Sequence, residues 1–94
     1  MNAPFPVDPL LSSRVRAGIL AFLSDRGAAD FTELAVVLEL PNNSLSSHLQ
    51  RLEGAAYIEL RRGFLRRKPR TRIVLTPAGR EAWLVHLARI TGSS

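Results

Sequence analysis

Along this chain the spacing of apolar side chains changes once, and that change divides it. Val15, Ile19, Phe22 and Leu23 recur at i, i+4, i+7 and i+8, the period of a helix with one buried face. Ser12 or Ser13 can cap that helix, which runs to about Asp25 before Gly27 ends it. Asp30 followed by Glu33 predicts a capping box for a second helix, whose buried stripe is Phe31, Leu34, Ala35 and Leu38. Leu40 to Asn43 reads as a short turn containing Pro41. A third helix then runs to about Ala55, with Leu45, Leu49 and Leu52 inward. After Gly54 the period falls to two. Ile58 and Leu60 alternate with Glu59 and Arg61, and Ile73 and Leu75 with Arg72 and Val74, which predicts two half-buried strands forming a hairpin. Thr76 before Pro77 is a strong helix start, and this last helix runs to about Ile90.

The ends read differently. Pro4, Pro6 and Pro9 stand among Phe5, Val7, Leu10 and Leu11, so residues 1–11 are expected to form an extended or turn-like arm. Residues 12–90 make one folded domain ending in the helix 76–90, and 91–94 form a frayed tail. The 94 residues suffice for one core and not for two. The expected class is α+β, mostly α. Three helices, a hairpin wing and a C-terminal helix are the order of a winged helix-turn-helix.

Charge changes the picture from fold to partner. The chain carries 13 Lys and Arg against 8 Asp and Glu, for a net +5 and a pI near 11.3. Arg61, Arg62, Arg66, Arg67, Lys68, Arg70 and Arg72 crowd one short segment that contains no acid. Removing those seven positive charges from +5 leaves the rest of the chain at −2, so the basicity is one patch at the hairpin. Such a patch suits a polyanion, and arginine forks match phosphates and guanine edges. An arginine-rich genome or a solvated face would explain scattered arginines, but a patch this dense less well. Its tip is expected at Arg66, Arg67, Lys68 and Arg70, with Arg61 and Arg72 reaching phosphates from the flank. Phe64 shares the parity of Ile58 and Leu60, so it is expected to pack beneath the wing.

With Leu45, Leu49 and Leu52 inward, the third helix turns Asn43, Ser47, Gln50 and Arg51 outward, with Ser44 and Ser46 on the flanks. Short polar groups near a helix start allow close approach to a major groove, and Gln50 and Arg51 have the reach for base edges or phosphates. An ordinary solvated helix face has the same composition. His48 lies beside the core face, where a packed or capping role competes with base reading.

Residues 30–58, DFTELAVVLELPNNSLSSHLQRLEGAAYI, and 69–79, PRTRIVLTPAG, resemble the small winged-helix transcriptional regulators of the MarR and ArsR groups. The resemblance covers about residues 8–90. Leu45-Ser46-Ser47-His48-Leu49 with Leu52-Glu53, and Leu75-Thr76-Pro77-Ala78-Gly79, carry it most specifically. Two positions depart from the pattern. Pro41 stands where a Ser or Thr cap is usual, which passes capping to Asn42 or Asn43, and Ala56 replaces the usual glycine after the recognition helix. The resemblance implies a regulator of transcription that binds double-stranded DNA as a homodimer, commonly a repressor occupying a promoter. The expected contacts are Asn42, Asn43, Ser44, Ser46, Ser47, Gln50 and Arg51 from the third helix and the seven cations of the wing. A winged helix serving protein or RNA contact is the alternative, since a fold does not determine its use.

Other classes fare worse. There is no cysteine, so neither disulfides nor the thiolate metal sensing of ArsR-type regulators is available, and no cofactor is expected. The two histidines, His48 and His86, have no acid partner nearby in sequence, and no phosphate loop or nucleophile elbow occurs. Ser46, Ser47 and His48 are adjacent on a helix and point in different directions, which argues against a triad. Catalysis is therefore not expected. No apolar run approaches the roughly 18 residues of a membrane span, nor is there a secretory signal pattern, so the expected compartment is cytoplasmic. From Ala82 to Ile90 only His86 and Arg89 are polar, so Trp83, Leu84, Leu87 and Ile90 are expected to form a dimer interface, helped by the first helix and the arm. The operator and any small-molecule effector are not legible.

Overall fold

The first helix, α1 (Arg14–Arg26), begins where Ser13 Oγ accepts the Arg16 N–H, and it stops at Gly27, whose φ of 84° suits a residue without a Cβ. A computed structural model describes residues 8–91 of the chain. After α1 come β1 (Ala28–Asp30), α2 (Phe31–Leu38), α3 (Asn42–Gly54), β2 (Ile58–Leu65), β3 (Lys68–Leu75) and α4 (Pro77–Ile90). The three strands form one antiparallel sheet in the order β1-β3-β2.

One core unites these elements. Ile19, Leu20 and Leu23 of α1 meet Leu34 of α2, Leu45, Leu49 and Leu52 of α3, and Ile58, Ile73 and Leu75 of the sheet. Each such side chain contributes about 1.5–3 kcal/mol on burial. The helical stripes read from spacing thus all reach the core, Val15, Phe22, Phe31, Ala35 and Leu38 only in part, and Leu20 joins them outside the expected stripe. Leu11 is also buried, at 2% exposure, because Pro9–Ser12 folds into a 3-10 turn capped by Asp8. The last third of the expected arm is therefore turn-like and packs into the core through Leu11. Residues 1–7 and the tail beyond Thr91 lie outside the described residues.

Three local expectations are corrected. β1 is a strand that the pattern does not announce: Ala28, Ala29 and Asp30 pair with Val74, Ile73 and Arg72 because β3 offers them an edge. The capping box at α2 does not form. Asp30 occupies the cap position, but its carboxylate accepts from Arg70 and Arg72, while Glu33 pairs with Arg26 at 2.7 Å. The two guanidinium groups carry full positive charges, so they add a Coulomb attraction to Asp30 that a neutral helix N–H lacks. At α3 neither asparagine takes the cap. Pro41 stands there without a side-chain acceptor, and Asn43 Oδ1 accepts only the neighbouring Ser44 N–H, at 2.8 Å.

Two junctions hold the sheet to the helices. Ala56 takes φ 62°, the left-handed turn expected of a glycine, and carries the strain of its Cβ. Next to it, Tyr57 receives the Thr76 N–H on its carbonyl at 3.1 Å and donates its hydroxyl to Asp8 Oδ2 at 2.6 Å. Thr76 Oγ1 caps α4 through the Gly79 N–H and donates to the Ala56 carbonyl. Gly79 is the buried residue of α4, because a Cβ there would overlap the Tyr57 carbonyl.

Candidate nucleic-acid interface

The helical hairpin and the wing place their polar groups side by side. On α3 the inward leucines leave Asn42, Asn43, Ser47, Gln50 and Arg51 exposed, with Ser44 and Ser46 half-buried at the flanks. A groove of about 400 Å³ runs between this helix and the wing, lined by Asn42, Ser46 and Gln50 on one side and Leu60, Arg62 and Thr71 on the other. Its floor is apolar, from Phe31 and Leu49. Its walls present amides, hydroxyls and one guanidinium, which are donors suited to phosphate oxygens.

His48 does not join this face. Arg16, only 8% exposed, donates its Nε–H to the Leu10 carbonyl at 2.8 Å and its Nη1–H to His48 Nδ1 at 3.1 Å. Arginine cannot accept, so Nδ1 is the unprotonated nitrogen and the ring proton sits on Nε2. Burial, then the charges of Arg16 and of Arg51, hold the His48 pKa below its ordinary value. The sequence missed this tie because it joins residues 32 positions apart. Tyr57 was missed in the same way. Its pKa is pushed up to about 12 by the hydrogen bond to Asp8, by burial and by the Asp8 charge.

The wing is longer than the alternation predicts. The strands pair from Ile58↔Leu75 to Leu65↔Lys68, so most of the basic segment, including Lys68 and Arg70 of the expected tip, is strand. Only Arg66 and Arg67 turn, with φ of 53° and 70°. Positive φ at both central residues of a two-residue connection is the type I′ turn, whose twist matches a hairpin and which normally takes Asn-Gly. Pro69 is tolerated beside the tip because β1 pairs with β3 only as far as Arg72, leaving that edge of β3 at Pro69 without a partner strand for the missing N–H.

The seven wing cations divide into two groups. Arg70 and Arg72 are pinned at the base by one oxygen, Asp30 Oδ1, at 3.0 and 3.2 Å, and Arg61 meets Glu59 at 3.3 Å. Arg70 is therefore a base residue within β3, two positions inside Lys68, and not part of the tip. Among the described residues, Arg62, Arg66, Arg67 and Lys68 make no ion pair, and all four are exposed. Phe64 does not pack beneath the wing. Strand parity does put it on the face of Ile58 and Leu60, but the hairpin has by then left the body, and Phe64 is 75% exposed.

Along α4, Leu84 and Ile90 are more than half exposed, while Trp83 and Leu87 are half-buried. Trp83 packs against the core and lies 5.6 Å, ring to ring, from His86. Among the described residues no helix is long and apolar enough to cross a membrane.

Comparison with known proteins agrees with this geometry. A protein of Methanocaldococcus jannaschii, MJ0432, is 30% identical over 81 residues, covering 86% of this chain and 88% of its own. The solved transcriptional regulator homologue from Pyrococcus horikoshii superposes with a TM-score of 0.83 at 31% identity, covering 88% of this chain and 82% of that one. Reduced AbfR bound to DNA shares the fold, with a TM-score of 0.76 at 20% identity over 90% of this chain and 62% of its own. The resemblance to winged-helix regulators of transcription holds in three dimensions, the Pyrococcus horikoshii protein being described as a transcriptional regulator homologue. Residues 15–91 match the model of one family throughout, and the chain belongs to it: the winged helix DNA-binding domains.

Proposed function

We propose that this winged helix is a sequence-specific regulator of transcription that binds double-stranded DNA as a homodimer and acts as a repressor by occupying a promoter. The observation that carries this reading is the groove flanked by the polar face of α3 and by Arg62 of the wing. In it α3 enters a major groove, with Asn42, Asn43, Ser44, Ser46 and Ser47 close to the backbone and bases, and Gln50 and Arg51 reaching base edges or phosphates. A phosphate strand lies against Arg62 and Thr71, and Arg66, Arg67 and Lys68 reach the adjacent minor groove, where a narrow groove concentrates negative potential. Arg61, Arg70 and Arg72 serve from the flank once phosphate competes with their carboxylates.

The exposed apolar side of α4, at Leu84 and Ile90 with Trp83 and Leu87 beside them, supports pairing of two copies. A two-fold dimer copies its symmetry into the site, so the bound sequence is a pseudo-palindrome with half-sites about 34–36 Å apart or a multiple of that. The test is selection of bound duplexes from a random pool, followed by a salt titration. With about 6–10 phosphates neutralised per dimer, affinity falls about 10³-fold or more between about 50 and 200 mM salt. A flat salt response, or a pool that yields no common sequence, refutes the reading; preferential binding of single-stranded RNA replaces it.

A further inference from the structure

We propose that Phe64 is an apolar wedge that the wing drives into a base step of the minor groove, partly unstacking it and bending the duplex. The proposal rests on the duplex-binding reading and adds a contact that cations alone do not provide.

Phe64 and Leu65 are 75% and 50% exposed, yet they sit within the most cationic stretch of the chain, between Arg62 and the Arg66-Arg67 turn. Lone exposed apolar residues on a surface need no explanation. Here three features coincide. The side chains stand on a ladder that stays paired to its last rung, Leu65↔Lys68, so their positions are held by backbone hydrogen bonds. The residue across from Phe64 is Pro69, which is itself rigid. The surrounding charges, Arg62, Arg66, Arg67 and Lys68, are exposed and make no ion pair among the described residues. A polyanion is therefore the occupant that this charge favours, and it must also offer an apolar slot.

Duplex DNA offers one. A minor groove about 6 Å wide excludes a two-stranded ribbon but admits single side chains from its tip. Apolar wedges such as Phe and Leu inserted between base steps kink a duplex by about 20–90°, with flanking Arg and Lys holding the phosphates. Flexible pyrimidine–purine steps unstack most easily, so the wedge adds a preference for such a step at the distance from each half-site centre that the wing reaches.

The experiment uses the full chain on duplexes of about 30 bp that it selects from a random pool. 2-Aminopurine replaces each adenine in turn, and end labels report bending by energy transfer. Wild type is expected to brighten one 2-aminopurine position per half-site and to shorten the end-to-end distance. Phe64→Ala is expected to lose both signals and about 10-fold in affinity, from the apolar surface no longer buried. Its salt slope should stay that of wild type, because no charge is removed. Phe64→Leu, which keeps a wedge, should retain the bend. Wild type that binds the selected duplex without unstacking or bending it overturns the wedge and leaves duplex binding standing. So does a Phe64→Ala protein that bends the duplex as wild type does, the result expected if Phe64 instead docks on another protein. Failure of wild type to bind any duplex overturns the underlying reading and the wedge with it.

Discussion

Replacing Arg66 and Arg67 by Asn and Gly should make the protein more stable and worse at holding DNA. Both arginines sit at positive φ, 53° and 70°, in the two-residue turn between β2 and β3. A left-handed conformation costs a residue with a Cβ about 1–2 kcal/mol, so the turn stores roughly 2–4 kcal/mol before local compensation. Asn tolerates this region and Gly enters it freely, but Gly adds about 0.5–1 kcal/mol of unfolded-chain entropy. The net gain expected for R66N/R67G is about 1–2 kcal/mol. In a domain of this size that raises Tm by about 5–10 °C, provided the wing unfolds with the body. The register supports that condition, because the strands carrying the turn also carry Ile58, Ile73 and Leu75 into the core. The same change removes two cations per chain, four per dimer, and the slope of log affinity against log salt should fall by about 3–4. R66K/R67K is the control: it keeps both the charge and the strain, so its Tm and salt slope should match wild type. Calorimetry and a salt titration read the two effects separately. An unchanged or lower Tm for R66N/R67G would refute the claim that the tip is strained, and an unchanged slope would refute the claim that it meets phosphate.

Gly79→Ala would push a methyl into the Tyr57 carbonyl, where backbone must yield. Overpacking costs about 1–3 kcal/mol, so Tm should drop by at least about 5 °C, and a melt identical to wild type would refute the close approach. His48 accepts from Arg16 only while unprotonated, and its pKa is held below the ordinary value by burial, Arg16 and Arg51. As pH falls the unfolded chain takes up that proton first, so this contribution is full above about pH 6.5 and is lost as pH drops below it. His48→Gln, which keeps an acceptor for Arg16, should show a flatter loss of Tm between about pH 7.5 and 5 than wild type, and parallel curves would remove His48 from the account. Leu84→Glu with Leu87→Glu should sediment as a monomer and bind its selected duplex far more weakly. Wild type that is itself monomeric at micromolar concentration, free and on DNA, would refute the α4 dimer.

Local rules made most of the fold legible. The helical stripes, the Gly27 stop and the Thr76 cap are decided within a few residues of themselves, and each stands where spacing puts it. What escaped was decided at a distance. Ala28 to Asp30 has little strand character of its own and becomes a strand because β3 needs an edge partner. Asp30 was read as a cap from its neighbours in sequence, whereas Arg70 and Arg72, forty residues on, claim its carboxylate. The wing was read as too short because Gly63, Pro69 and the arginines break the alternation. Backbone pairing carries the ladder through them regardless of side-chain type. The candidate interface was legible as a set of residues on one helix and one hairpin. Which cations are free and which are held was not, since that depends on carboxylates brought from elsewhere.

Tyr57 has a mechanical consequence. Its N–H is held by the Leu52 carbonyl at the end of α3, its carbonyl by Thr76 at the start of α4, and its hydroxyl by Asp8. Three backbone segments are thus pinned at one residue, and α3 and α4 cannot swing independently. If two copies pair through α4, the separation of the two α3 helices is a built-in gauge and not an adjustable hinge. Operators with a base pair inserted between half-sites should then be rejected outright instead of being met by a flexing protein. In such a dimer, a signal that changes the spacing of the two α3 helices would have to bend α4 beyond Gly79 or pull Tyr57 out of its three bonds.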